Sequence, residues 1–442
     1  GCVYLIADSR GIRRSLARCS VFTVKAKILT EHGVRYIKLH LLGTLSTMTT
    51  SLSDLTSSLN SALANLPAPE NIKDEERMQL LGVIGQLQAA LETPVQIIQK
   101  HCFSHYGIAG IRVAQGMGIF DAFITSNGSE MTLAELSSKT KGDMELLKRI
   151  LRFLCSHNIC KETSTETYQP SQIAMLYGTS SVPGDMIKHF HTNMQITSKL
   201  FDYFEEKGYK NPSDAYDAPF QLAYQTNEHY FEWLSKKPAV QSVFNSVMTE
   251  SKRHYGVEWF EIFPVLDKLQ VPPERVAFVD VGGGVGHDVT ALKTRFPQLP
   301  GKYIVQDLPQ VIDDIKEPLG EGISAVKINM FEGQPIQGAK AYHMRTVLHD
   351  WPDKPALEAL RHIRKAMASD SILLINEHVM PEGANVPPLS ATLDLHMMEV
   401  FSALERTEKQ WVDLLEKAEF KVTQVWRSDA DFRTAVFEAT LA

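Results

Sequence analysis

Cysteine is scarce in this 442-residue chain: Cys2, Cys19, Cys102, Cys155 and Cys160 are an odd set with no C-x-x-C pair. That excludes a disulfide scaffold and a cysteine zinc module, and it suits a reducing compartment, so a cytoplasmic location is expected. Long apolar runs are lacking as well. No stretch approaches the ~18 residues of a membrane-spanning helix, so no membrane partner is expected. Internal repeats and low-complexity tracts are missing, and no G-K-[ST] follows a glycine loop, which excludes a P-loop. Hydrophobic residues nevertheless make up 44% of the chain. That is enough for a sizeable core, and the length suits two or three domains.

Basic charge is in short supply beyond the first 47 residues. Those carry eight Lys/Arg against Asp8 and Glu31, a net of +6, so the remainder of a chain of net charge −7 holds −13. An acidic body repels phosphate backbones, and no nucleic-acid partner is expected. The basic, acid-poor start resembles a transit peptide, while Met48 opens a Ser/Thr-rich stretch of the kind that begins a chain. Residues 1–47 are therefore read as an extension without a catalytic part.

Apolar residues at helical spacing predict a helix over 74–100 and another over 107–123. Thr132 and Glu135 form a capping box at the head of a helix ending near Thr140. A further helix follows, with Met144, Leu147, Ile150, Leu151 and Leu154 on one face, and β-like pieces around 159–170 complete a winged-helix-like pattern. Asp143 and Glu145 at the head of the would-be recognition helix argue against DNA and for dimerisation or substrate covering. From about 184 to 265 the chain is helical and rich in aromatics and His.

After residue 270 the pattern alternates. Strand-like runs lie at 275–281, 302–308, 324–330, 341–348 and 371–379, with helical stretches at 287–296, 309–316 and 354–369. A late pair, 420–427 and 435–442, reads as antiparallel strands at the edge. Such βα units imply an α/β fold with a Rossmann-like, doubly wound parallel sheet.

Ligands of such sheets bind beyond the carboxyl ends of the strands, at the first βα turn. That turn reads Asp280-Val281-Gly282-Gly283-Gly284-Val285-Gly286. A dinucleotide G-x-G-x-x-G begun at Gly282 needs glycine at 287, where His287 stands. The form D-x-G-x-G-x-G resembles instead the glycine loop of class I S-adenosyl-L-methionine (SAM) methyltransferases. Asp307, at the end of the next strand, is placed to accept both ribose hydroxyls of an adenosyl ligand. Asn329, Met330 and Phe331, at the third strand end, offer a side-chain carbonyl and apolar surface for adenine.

At the fourth strand the sequence reads M-R-T-V-L-H-D-W-P-D (344–353), and E-R-T follows at 405–407. With D-V-G-G-G-V-G, Q-D-L-P and I-N-E, these motifs resemble the SAM-dependent O-methyltransferases of the caffeic-acid and fungal type over roughly 80–442. The resemblance implies His349 as general base, Glu377 and Glu405 orienting its imidazole, and Arg345 as a basic cofactor-contacting residue. It departs at Asn329, where plant members usually have Asp, so altered contact with adenine is expected. For the acceptor it implies His189, Asp350, Met397, Met398 and Phe401, although a Met/Phe strip at helical spacing is usually core. Flexible thioethers suit a flat or greasy substrate. It further implies a homodimer and this division: an extension (1–47), a winged-helix-like dimerisation domain (48–185), a substrate-capping region (186–265) and a SAM-binding catalytic domain (266–442).

The chemistry needs these residue types. SAM is already electrophilic, so the protein must align a hydroxyl with the S–CH3 bond and remove its proton. A phenol titrates near ~10, and a neutral imidazole of pKa ~6.5 is a plausible partial base when a carboxylate fixes its tautomer. No metal is expected, because no hard-cation cluster of carboxylates follows the fourth strand. Two other readings stay open. The chain also resembles leporin-type pericyclases, which bind SAM and rearrange a substrate without methylating it, but those carry Arg at the position of His349. The other is a dimeric scaffold without activity.

Overall fold

Each element follows from a local signal, and each break in an expected element has a local cause. A computed structural model describes residues 22–30, 33–41, 51–68, 71–253, 257–383, 386–428 and 433–442. The remaining parts of the basic extension, 1–21, 31–32 and 42–47, lie outside the described residues. Two compact units divide the chain at 97/98. In the first, β1 (Phe22–Thr30) and β2 (Gly33–Leu41) pair antiparallel, two strands that the sequence reading did not anticipate. Helix Leu52–Ala64 starts at Ser51, whose hydroxyl accepts from Asp54 N at 3.0 Å. The single helix expected over 74–100 is two, Asp74–Leu91 and Pro94–Phe103. Pro94 has no N–H to continue the first and suits the opening turn of the second.

The second unit begins its fold with Tyr106–Met117 and Ile119–Thr125, where one helix was expected. Gly118 separates them at φ +85°, a left-handed cap that glycine adopts without a Cβ clash. β3 (Met131–Thr132) leads into helix Leu133–Lys139 through the expected capping box: Thr132 Oγ1 accepts from Glu135 N, and Glu135 accepts from Thr132 N at 2.7 Å. Asp143 caps Met144–Ser156. On that helix Leu147, Leu151 and Leu154 are buried, whereas Met144 is exposed and Ile150 half-buried. β4 (Cys160–Ser164) and β5 (Thr167–Pro170) complete a three-stranded sheet in the order β3-β5-β4.

The large sheet is built from β6 (Val276–Val281), β7 (Lys302–Asp307), β8 (Ile323–Lys327), β9 (Ala341–Arg345), β10 (Ile372–His378), β11 (Phe420–Trp426) and β12 (Thr434–Leu441). Its order is β11-β12-β10-β9-β6-β7-β8. β6 to β10 run parallel, and β12 inserts antiparallel between β10 and β11. One face buries Leu360, Ile363, Trp411 and Leu414 from the helices Asp353–Ala366 and Glu408–Lys417. The other buries Trp259, Phe260, Val289 and Leu292. Helices on both faces make this the doubly wound α/β fold. The helix expected at 309–316 is only Pro309–Ile312, because Asp313 and Asp314 put negative charge at its carboxyl end, where the helix dipole disfavours it.

Candidate active site

The turn after β6 is shaped by three glycines at positive φ: Gly282 (+73°), Gly284 (+62°) and Gly286 (+88°). Only glycine adopts these values readily. A Cβ on Gly282 would strike Val347 at 2.6 Å, so the loop lies directly against the turn after β9. A Cβ on Gly284 would meet open space, which leaves the loop's outer edge free for a ligand. Gly284 N donates to Asp307 Oδ2 at 2.8 Å, and Leu308 N donates to Asp307 Oδ1 at 2.7 Å. The structure thus brings the carboxylate at the end of β7 to the glycine loop.

Two residues expected to contact the cofactor, Asp280 and Arg345, are held by partners within the protein. Asp280 is buried, and its Oδ1 pairs at 2.9 Å with Nδ1 of buried His343, its register partner on β9. Trp259 stacks on that imidazole at 4.6 Å. Asp280 Oδ2 lies under the loop, 2.5 Å from where a Cβ of Gly283 would stand. Its carboxylate therefore supports the loop from below. Arg345 bonds to Asp288, in the helix that follows the loop, and to Glu258 at 3.2 Å. Its guanidinium holds that helix to the end of β9.

Asn329 accepts from Phe331 N at 3.1 Å and donates its amide to Glu332 at 3.0 Å. It lines a cavity of about 390 Å³ with Glu332 and Gln334. Met330 and Phe331 are half-buried, and the Phe331 ring meets Trp351 edge-on at 4.6 Å.

His349 lies in the single turn Leu348–Asp350 after β9. Its Nδ1 is 3.0 Å from Glu405 Oε1, and its Nε2 is 3.5 Å from Asp350 Oδ1. Glu377, on β10, does not bond the ring. Its Oε1 accepts from Val347 N at 3.0 Å and Leu348 N at 2.9 Å, and its Oε2 has no partner among the described residues. Of the two carboxylates expected to orient the imidazole, Glu405 does so, while Glu377 fixes the backbone leading into it. Desolvation opposes charge on His349, but the carboxylates of Asp350, Glu405 and Glu377 outweigh it and raise its pKa to about 10. Burial would raise the Glu405 carboxyl, yet His349 and His378, the latter 3.3 Å away, hold it well below the usual carboxylate range. The carboxylates gathered around the ring thus favour the imidazolium over the free base.

E-R-T divides its labour. Glu405 takes the ring, with its own N–H donated to Asp394. Arg406 donates to the carbonyls of Leu348 and Trp351, and Thr407 caps helix Glu408–Lys417.

On the acceptor side, His189 is buried, and its Nε2 lies 3.1 Å from the Asn193 amide nitrogen. Burial, helped by nearby His396, lowers its pKa to about 4. Met397 and Phe401 sit in an aromatic cluster with Phe220, Tyr230 and Trp233, while Met398 is half-buried. Trp351 stacks on His229 at 4.3 Å and 10°. The sequence reading missed His229, His343, His378, Asp394 and His396. Only His396 carried a usable signal, Glu399 three residues on along the same helix; the two meet at 3.1 Å.

Comparison with known proteins matches residues 200–421 to the O-methyltransferase domain and residues 99–180 to the O-methyltransferase dimerisation domain. Demethylsterigmatocystin 6-O-methyltransferase of Aspergillus flavus is 34% identical over 353 residues, covering 79% of this chain and 90% of that protein. Among solved structures, one described as a pericyclic reaction enzyme superposes with a TM-score of 0.79 at 27% identity, covering 88% of this chain and all of the other. OxaC in complex with S-adenosylhomocysteine (SAH) and oxaline gives 0.77 at 25% identity, covering 88% and 98%.

Proposed function

This chain belongs to the SAM-dependent O-methyltransferase family, and we propose that it methylates a hydroxyl of a small aromatic or polyketide-like secondary metabolite with His349 as the base. The observation that carries this reading is the 3.0 Å pairing of His349 with Glu405 on a turn that abuts the glycine loop. The cofactor is SAM, which supplies an electrophilic methyl group when bound.

The residues present fit that cofactor. The Gly282–Gly286 loop leaves its outer edge open, and the Asp307 carboxylate, held at the loop by Gly284 N, is the acceptor assigned to the ribose hydroxyls. Asn329, Met330 and Phe331 are assigned to adenine. Asp280 and Arg345 act from behind the loop, as supports. In the free-base form of the ring, His349 Nε2 takes the acceptor's proton, Glu405 holds Nδ1, and the surrounding carboxylates stabilise the imidazolium so formed. Carboxylates that raise the pKa of the base bring it closer to that of a phenol, near ~10, and so ease the proton transfer. Asp350, beside Nε2, then shares the acceptor's side of the ring.

The test supplies SAM and hydroxyaromatic candidates and measures SAH beside product mass. One equivalent of SAH per product heavier by a methyl supports the reading, and His349→Ala should then lose about 10²–10⁴ in rate with SAH affinity kept. A second reading, a pericyclase, draws on the 0.79 likeness to the pericyclic enzyme. It requires a product of unchanged mass and no SAH. The dimerisation-domain match supports a homodimer, and a monomer by light scattering at micromolar protein would refute it.

A further inference from the structure

A cavity of about 370 Å³ opens among the helices Tyr106–Met117, Val182–Thr197 and Pro238–Arg253. Much of its wall is apolar, Val113 and Val243 included, but Arg112, Lys188, His189 and His191 also line it, and no lining residue is a carboxylate. Such a chamber, apolar with a few convergent polar groups, is the usual form of a small-molecule site.

The cations are held in place. Arg112 Nη1 donates to Gln115 Oε1 at 3.3 Å, and Gln115, 1% exposed, is anchored on the carbonyls of Tyr177 and Gly184. Lys188 is already engaged with Asp185 and the Thr179 carbonyl. Arg112 has no carboxylate partner among the described residues. Burial and the Arg112 charge both lower the pKa of His191. His189 uses Nε2 on Asn193, which leaves the proton on Nδ1 with no hydrogen bond among the described residues. The His189 ring also lies edge-on to His396, 6.3 Å away by centroid. His396 lies on helix Pro388–Phe401, which also packs against the turn that holds His349.

We propose that this cavity takes the anionic end of a flat aromatic acid, with the Arg112 guanidinium meeting the carboxylate and His189 Nδ1–H donating to the same group. The cavity is lined by no residue of the glycine loop, of the turn that holds His349 or of β10, so it is a ligand site beside the one assigned to methyl transfer. A guanidinium with no carboxylate partner among the described residues favours a carboxylate ligand through both charge and its planar pair of donors.

The test is calorimetric titration of the full chain, saturated with SAH, with 1-hydroxy-2-naphthoate and with its neutral near-isostere 2-acetyl-1-naphthol. The wild type should prefer the acid by about tenfold or more. Arg112→Gln should abolish that preference, and Val243→Phe should weaken binding of the acid by narrowing the chamber, both with SAH affinity unchanged as the control for folding. Equal affinity for the two compounds in the wild type overturns the proposal, as does a preference that survives Arg112→Gln. The two readings fail separately. Acid preference that follows Arg112, with no hydroxyaromatic ever methylated, leaves the cavity assigned and refutes methyl transfer. Methylation of neutral hydroxyaromatics without acid preference does the reverse.

Discussion

Arg406 donates to the carbonyl oxygen of Leu348 at 3.0 Å, from a guanidinium that is fully buried. It reaches the Trp351 carbonyl as well, at 2.9 Å. The residue beside Glu405 thus pins the turn that presents His349, while Glu405 pins the ring. Backbone and imidazole are set by one dipeptide.

Arg406→Lys should therefore cost both stability and turnover. A lysine lacks the planar fork, and each buried carbonyl left without a donor costs about 1–3 kcal/mol. Urea denaturation read beside the methyl-transfer rate tests this. A variant with wild-type stability and rate would show that the clamp is dispensable.

The pKa of His349, raised to about 10, sets the sign of two pH effects. Because the free base is the minor form below that value, kcat/KM for a phenol that enters protonated should climb with pH toward it. Glu405→Gln removes one of the carboxylates that raise the pKa, so its limb should move to lower pH, with a reduced plateau. Stability runs the other way. The folded value lies above the ordinary 6.5, so this imidazolium's contribution is complete below about 6.5 and is lost as pH rises through about 10. An unmoved limb in Glu405→Gln would remove Glu405 as the carboxylate behind the base.

Asp307→Ala should weaken SAH binding by roughly 10- to 100-fold, the scale of a charge-assisted bond or two. The loss has two sources, the acceptors for ribose and the partner of Gly284 N. Calorimetry that gives wild-type affinity would place the cofactor away from this carboxylate.

His343→Leu should destabilise the fold by about 3–5 kcal/mol, because it leaves the Asp280 carboxylate buried without a partner. Adding Asp280→Asn removes the stranded charge and should recover part of the loss. A double-mutant cycle measures this. Strict additivity would mean that the two side chains are not coupled.

Much of this protein was determined by its sequence alone. The nearly continuous apolar run VAFVDV, spacing of three and four in MELLKRILRFL, the Thr132–Glu135 box and the glycine run after Asp280 are local patterns, and local hydrogen bonding obeys them. The breaks at Gly118 and Pro94 obeyed equally local rules, overlooked in favour of periodicity. The O-methyltransferase resemblance carried the set His349, Glu377 and Glu405. Only the tertiary structure decided what those side chains touch. Glu377 turned to the amides of Val347 and Leu348, Asp280 to His343, and Arg345 to Asp288 and Glu258. Each pairing joins residues far apart in the chain, and it depends on strand order and register: β9 beside β6 sets His343 opposite Asp280. The electrostatics of His349 followed in part in the same way: Asp350 is its neighbour in the chain, but Glu405 and Glu377 reach it from separate elements, and no spacing along the chain announces that they meet.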